Sequence, residues 1–145
     1  MAERVFPRVR LIFPCDSAVL DQADQKWILK NPWAVVTLPP GATFPFRVRE
    51  LWVCAQFADG VGDFELAVEV RQVRDDGTRR TVGWSEAGRL EFSGGNQLLV
   101  FDTVFRFRNL PFREAGLYEF CVTSEGQVLG GETAELRVLD RRMTL

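Results

Sequence analysis

The sequence contains no histidine, and this absence removes several classes of site at once. Without an imidazole, the chain has no Ser–His or Cys–His catalytic pair, no histidine–zinc site and no histidine pH switch. The three cysteines (Cys15, Cys54 and Cys121) form no CxxC pair and no metal-ligand spacing, and an odd number of thiols suits a reducing compartment. We therefore expect no catalytic residue, no metal and no cofactor.

Long apolar runs and a strong excess of charge are also missing. None of the apolar runs approaches the roughly 20 residues of a membrane helix. Arg4, Arg8 and Arg10 interrupt the apolar positions that a signal peptide would need near the start. The 18 basic and 20 acidic residues give a net charge of −2, whereas domains that bind duplex DNA are usually basic. The sequence therefore predicts a cytoplasmic protein that binds neither membranes nor nucleic acids.

Lysine is scarce, since the chain has two lysines against sixteen arginines. Arginine favours bidentate and interfacial contacts, but coding bias in the source organism gives the same ratio and is the preferred explanation. Arg106, Arg108 and Arg113 lie close together in sequence and suggest an anion site. Pairing with the many acidic residues is the preferred interpretation of these three side chains.

Short apolar runs divided by turn residues fill the chain. Residues 64–73 alternate cleanly between apolar and polar, and Asp75-Asp76-Gly77 is a strong hairpin turn that leads to a return strand at 79–84. Further strands are predicted at 5–13, 26–29, 34–38, 44–57, 90–92, 97–108, 117–124, 127–129 and 133–139, with a loop or short helix at 16–24. This pattern is typical of a β-sandwich. We expect one domain, with an N-terminal strand and extension at 1–43, the sandwich core at 44–140 and a tail at 141–145.

Tyr118 is the only tyrosine, although the chain has twelve phenylalanines. In a sandwich, a tyrosine can fix the corner where the chain crosses between sheets, because its ring packs inside while its hydroxyl bonds to nearby backbone. The surrounding pattern resembles the E-to-F segment of immunoglobulin-like domains, with matches at Phe107, Leu110, Glu114, Gly116 and Tyr118. The resemblance implies an all-β, antiparallel, Greek-key sandwich of about seven to nine strands with an elaborated N-terminal segment.

Two hallmarks of antibody domains are replaced in this chain. Phe120 stands where such a domain has its second disulfide cysteine, and Val53, 67 positions earlier, stands at the place that the resemblance gives to the first. Leu66 occupies the position of the expected tryptophan. The resemblance therefore implies an immunoglobulin-like core of the apolar kind. More loosely, the whole chain resembles an uncharacterised bacterial family of small stand-alone immunoglobulin-like proteins, which gives no residue a role.

The strand phase predicts an apolar patch on the outside of the sandwich. Because Val53 faces the core, Cys54 points outward with Trp52. Val100 and Val104 point outward from the predicted strand 97–108, which the resemblance makes the E strand. An exposed patch of this kind usually marks a partner, so these residues form a candidate interaction face. The favoured interpretation is that residues 15–43 fold across it, using Trp27, Ile28, Trp33, Val35 and Val36. The alternative is a homo-oligomer interface.

The outward faces of the other sheet have a different character. Glu65, Glu69, Arg71 and Glu119 predict an acidic, solvated surface, and Cys121 points outward beside them. Cys54 and Cys121 would then lie on opposite outer surfaces, too far apart for a disulfide.

Three aspartates suggest calcium only weakly. The spacing is not that of an EF-hand loop, and no bidentate glutamate closes the set. A solvated loop is the preferred interpretation of Asp16, Asp21 and Asp24.

These features favour a small non-enzymatic interaction or accessory module that acts through a sheet face, an edge strand or its loops. Its partner would be another protein of unknown identity or a second copy of the chain. Two alternatives stay open. One is a self-associating structural protein, and the less favoured one is an enzyme that uses carboxylates or a thiol without histidine.

Overall fold

A computed structural model describes residues 4–92 and 101–140. This part of the chain contains eleven β-strands and no helix. None of the described segments is therefore a helix long and apolar enough to cross a membrane. The strands are β1 (Arg8–Asp21), β2 (Lys26–Pro32), β3 (Val35–Thr37), β4 (Phe46–Ala58), β5 (Gly62–Val73), β6 (Arg79–Trp84), β7 (Gly88–Phe92), β8 (Phe101–Phe112), β9 (Gly116–Ser124), β10 (Gln127–Val128) and β11 (Ala134–Leu139). They form two sheets. One has the order β2-β1-β4-β8, and the other has the order β3-β11-β9-β5-β6, with β10 beside β9 and β7 beside β5.

The four-stranded sheet is antiparallel throughout. β1 pairs with β4 over its first half, with a β-bulge between Val9 and Leu11, and its second half continues beside β2 as far as Asp21. β8 pairs with the opposite side of β4. The N-terminal extension therefore widens this sheet at the edge.

The second sheet is mixed. β3 runs parallel to β11, with Val36 beside Val138, while β11, β9, β5 and β6 pair antiparallel. The predicted β-sandwich is confirmed, but the prediction of about seven to nine antiparallel strands is lower than the eleven described strands and does not include the parallel pair of β3 and β11. The reason is that the extension supplies β2 to one sheet and β3 to the other.

The division of strands between the two sheets is that of an immunoglobulin sandwich. β1, β4 and β8 correspond to strands A, B and E, and β5, β9 and β11 correspond to strands C, F and G. Val53, Leu66 and Phe120 are fully buried in the core between the sheets, as predicted. The ring of Phe107 meets that of Phe120 edge to face, with centroids 5.8 Å apart. Apolar contacts therefore fill the region that a disulfide spans in antibody domains.

Tyr118 forms the predicted corner. Its side chain is fully buried, and its ring packs edge to face against Phe112 with centroids 4.8 Å apart. The hydroxyl donates a hydrogen bond to the backbone carbonyl of Glu114 at 2.7 Å. The carboxylate of Glu114 in turn accepts a hydrogen bond from the amide of Gln72 on β5. The tyrosine hydroxyl and the Glu114 side chain together tie the E-to-F connection to the second sheet.

Replacing Tyr118 by Phe should lower the free energy of unfolding by about 0.5–3 kcal/mol, because the ring stays while the Glu114 carbonyl loses its partner. Urea denaturation of the wild type and Tyr118→Phe measures this difference. An unchanged stability would contradict the role given to the hydroxyl.

The largest error in the predicted strands concerns the N-terminal segment. The sequence predicts a strand that ends before Pro14 and a loop or short helix at 16–24, whereas β1 runs on to Asp21. Pro14 has no backbone N–H to donate to a neighbouring strand. The strand can include it because the β1–β2 ladder ends at the pair Cys15–Pro32, so β2 does not pair with Pro14 itself. The carbonyl of Pro14 accepts a hydrogen bond from the backbone N–H of Trp33 at 2.8 Å.

The predicted strand 97–108 also differs from the structure. Its first part lies outside the described residues, and β8 continues beyond the predicted end to Phe112.

Candidate interaction surface on the four-stranded sheet

Apolar side chains form rows across the outer surface of the four-stranded sheet. Phe13 of β1, Cys54 of β4 and Val104 of β8 lie opposite one another in register. The neighbouring row begins with Cys15 and continues with Trp52. None of these side chains belongs to the core cluster between the sheets. We call this surface the outer face.

Trp52 is held in place by charged neighbours. Its indole N–H donates to the Glu50 carboxylate at 2.9 Å, and Arg106 forms an ion pair with the same carboxylate at 3.0 Å. The guanidinium of Arg106 also lies 5.3 Å from the centre of the Trp52 ring, within the range of a cation–π contact. The hydrogen bond from Arg106 holds the pKa of Glu50 below its ordinary value. These contacts leave the half-buried indole at the polar border of the outer face.

The outer face extends onto the two N-terminal strands, where its most exposed apolar members lie. Leu11 and Val19 of β1 are 44% and 54% exposed, and Ile28 of β2 is 49% exposed. Val19 and Ile28 stand directly opposite one another in the β1–β2 ladder. Sequence reasoning gave Ile28 only the role of covering the face and did not name Leu11 or Val19, because their place depends on the sheet order. The signal available was the pair of apolar runs at 18–20 and 27–29, on the two sides of the turn at 22–25.

The predicted cover of this face by residues 15–43 is wrong. β1 and β2 lie beside β4 in the same sheet, and β3 joins the other sheet. Trp33 and Val36 pack against the core, while Ile28 and Val35 are exposed. Backbone pairing at the edge of β4 explains this outcome, since it satisfies the hydrogen-bonding groups of the extension. Of the four residues proposed for the face, Trp52, Cys54 and Val104 lie together as predicted, and Val100 falls outside the described residues.

The three thiols are free and buried, which corrects the expectation that Cys54 and Cys121 are exposed. Cys54 is 5% exposed because the larger side chains beside it on the outer face cover its short one. Burial, with Asp102 and Cys15 nearby, raises its pKa to about 12. Burial also raises the pKa of Cys121 to about 11 and raises that of Cys15. Cys54 and Cys121 lie in different sheets, as predicted.

The outer surface of the other sheet is less solvated than predicted, because it contains a buried polar cluster. Glu69 is 5% exposed, and its carboxylate accepts hydrogen bonds from Arg71 at 2.9 Å and from the hydroxyl of Thr81. The thiol of Cys121 lies 3.9 Å from the same carboxylate. Glu65 is exposed, as predicted. The ion pair and the hydrogen bonds satisfy Glu69, so this cluster reads as a structural one.

The aspartates and arginines take structural roles. The carboxylate of Asp16 accepts hydrogen bonds from the side chains of Asn31 and Trp33, and so ties the end of β2 to β1. Asp16 and Asp21 belong to β1, which corrects the expected solvated loop. Within residues 4–92 and 101–140, no group of three or more potential ligands could hold a metal ion. Two of the three arginines pair with acidic residues, as predicted. Arg106 forms an ion pair with Glu50 at 3.0 Å, and Arg108 forms one with Glu86 at 3.3 Å.

The strand division, the tyrosine corner and the apolar core define an immunoglobulin-like β-sandwich. The chain belongs to the family of unknown function DUF6941, whose model matches residues 10–138. No curated protein matches its sequence.

The chain is similar to several solved structures, including a DNA glycosylase and an immunoglobulin-like protein. The alkylpurine DNA glycosylase AlkC from Pseudomonas fluorescens, bound to DNA containing an abasic site analogue, is 14% identical, with a TM-score of 0.47. The match covers 91% of this chain and 30% of the glycosylase, so the chain spans less than a third of that protein. An immunoglobulin-like protein from Pseudomonas aeruginosa is 13% identical over 93% of this chain and 98% of its own, with a TM-score of 0.40. At these levels of similarity, neither structure assigns a site to the present chain.

Proposed function

We propose that this protein is a non-enzymatic interaction module that binds a protein partner through the outer face of its four-stranded sheet. The observation that carries the proposal is the apolar surface that runs from Val104 and Trp52 to the exposed side chains of Leu11, Val19 and Ile28. Contiguous exposed apolar surface is unfavourable in water and commonly marks a site of protein–protein contact.

The state of the cysteines supports a role without thiol chemistry. A nucleophilic cysteine needs a thiolate near neutral pH, but burial raises the pKa of Cys54 to about 12 and that of Cys121 to about 11. Cys15 is fully buried, and its pKa is raised as well. Three free thiols also suit a reducing compartment, which supports a cytoplasmic location.

Substituting Val19→Glu tests the proposal, because it places a charge in the exposed part of the outer face. Affinity capture from the native host should recover a partner with the wild type and lose most of it with Val19→Glu, since a charge buried in an interface is strongly unfavourable. Val35→Glu is the matched control, because Val35 is 53% exposed against 54% for Val19 and lies on the other sheet.

Light scattering on the same three proteins shows whether the partner is a second copy. A dimer that Val19→Glu dissociates and Val35→Glu leaves intact would make the outer face a homo-oligomer interface. Equal capture by the wild type and both variants, with all three monomeric, would overturn the proposal.

A further inference from the structure

We propose that the free edge of β2 binds an extended acidic segment of the partner protein, which adds to the sheet as a further strand beside Lys26 and Lys30. This inference rests on the proposed function and names the chemistry of the partner.

The backbone of β2 is available for such pairing. β2 is the terminal strand of its sheet, and β1 is the one strand that pairs with it among residues 4–92 and 101–140. Alternate residues of a terminal strand point their N–H and C=O groups away from the sheet, where they can pair with another chain. Between the left-handed residues Gln25 and Asn31, residues 26–30 of β2 form the extended edge that a short peptide strand can pair with.

The other sheet ends are short, are contacted by other backbone, or have cations that already have partners. β3 has three residues. On β6, Arg79 already forms an ion pair with Glu119 at 3.2 Å, and Arg80 donates a hydrogen bond to the side chain of Gln72 at 3.1 Å. On β8, the carbonyl of Arg106 accepts a hydrogen bond from the backbone N–H of Glu86 at 3.0 Å. These contacts make β2 the favoured site of strand addition.

Both lysines of the chain lie on this one strand. Ile28 is on the outer face opposite Val19, and Lys26 and Lys30 flank it on the same side because side chains alternate along a strand. Both lysines are exposed, and the ion pairs found among the described residues all use arginine. Lys30 stands opposite Ser17, and Lys26 stands opposite Asp21 in the β1–β2 ladder. The Asp21 carboxylate accepts a hydrogen bond from the backbone N–H of Ala23, so the ammonium groups of both lysines can still meet the carboxylates of a partner.

A second copy of β2 fits this edge poorly. In a two-fold antiparallel pair centred on Ile28, Lys26 of each copy faces Lys30 of the other, and like charges directly opposite one another are destabilising. A strand with acidic residues at those two positions and an apolar residue between them forms two opposite-charge pairs and one apolar pair. The charge pattern thus selects against self-pairing and in favour of an acidic strand.

Two capped peptides test this selection directly. The acidic probe is Thr-Glu-Thr-Val-Thr-Glu-Thr, and the basic probe has Lys in place of both Glu residues. The wild type should bind the acidic probe about tenfold more tightly than the basic one, since two cross-strand charge pairs are exchanged. Lys26→Glu/Lys30→Glu should reverse the preference. Arg74→Glu/Arg137→Glu makes the same change in net charge at exposed positions elsewhere and should leave the preference unchanged.

Amide hydrogen exchange identifies the strand that the probe contacts. The acidic probe should slow exchange at outward-facing amides of β2 and leave β6 unaffected. Equal affinity for the two probes, binding of neither probe, or a preference reversed by Arg74→Glu/Arg137→Glu would each overturn the inference. The lysines would then serve to prevent edge-to-edge pairing.

The peptide experiment and the capture experiment fail independently. If Val19→Glu abolishes capture while the probes show no charge preference, the strand-addition inference is wrong and the interaction module stands. If the probes behave as expected while Val19→Glu captures as well as the wild type, β2 binds an acidic strand and the outer face is not the contact surface.

Discussion

Raising the pH from 9 towards 12 should destabilise the protein by about 4 kcal/mol through Cys54 alone, because folding raises the pKa of this thiol from 9.0 to about 12. A raised pKa means that the folded state disfavours the thiolate. The contribution of the protonated Cys54 thiol to the free energy of unfolding is therefore complete below pH 9 and is lost as the pH rises to the pKa of the folded state, about 12. Cys121 adds about 3 kcal/mol over the interval from 9.0 to about 11, and the raised pKa of buried Tyr118 acts in the same direction.

Urea denaturation in a reducing buffer at a series of pH values above 8 measures this effect. Cys54→Val/Cys121→Val is the control, because it removes the two ionisable groups and keeps apolar side chains at both positions. The variant should lose stability much less steeply with pH than the wild type. Equal slopes for the two proteins would show that the thiols are not buried as described.

Substituting Gly131→Ala should cost about 3–5 kcal/mol, because a Cβ at this position would lie 2.1 Å from the carbonyl oxygen of Val9. The backbone φ of +109° is also strained for any residue with a side chain. The contact cannot relax cheaply, since Val9 is held by backbone hydrogen bonds to Gly130 and Glu132, each 2.9 Å long. Thermal and urea denaturation of the variant measure the loss.

The adjacent residue provides the control for this prediction. A Cβ on Gly130 would meet no atom within 4 Å, so Gly130→Ala should change the stability little. Similar losses in both variants would contradict the close approach of β1 to the loop before β11.

Features governed by local pattern could be predicted from the sequence. The alternation at 64–73 and the Asp75-Asp76-Gly77 turn predict the β5–β6 hairpin, because both signals come from residues that are neighbours in the sequence, and the structure shows this pair. The spacing around Tyr118 predicts the corner, and the structure confirms the hydrogen bond from its hydroxyl to the backbone. The three described members of the candidate face, from Trp52 to Val104, lie together because strand phase decides which side each residue occupies.

Features governed by distant contacts could not be predicted. Asp16 lies in a strand and not in a loop because Asn31 and Trp33, 15 and 17 residues away, bind its carboxylate. The burial of Glu69 depends on Thr81 and on Cys121, which is 52 residues away. The apolar content of the N-terminal extension is compatible with both edge pairing and stacking on a sheet, and only the sheet order distinguishes the two.

The most direct test of the proposed interaction module is amide hydrogen exchange on the chain alone and in the complex recovered by affinity capture. Binding through the outer face and the edge of β2 should slow exchange in β1, β2 and β4 and leave β5, β6 and β9 unchanged. Protection confined to β5, β6 and β9 would contradict the proposal, because these strands belong to the opposite sheet.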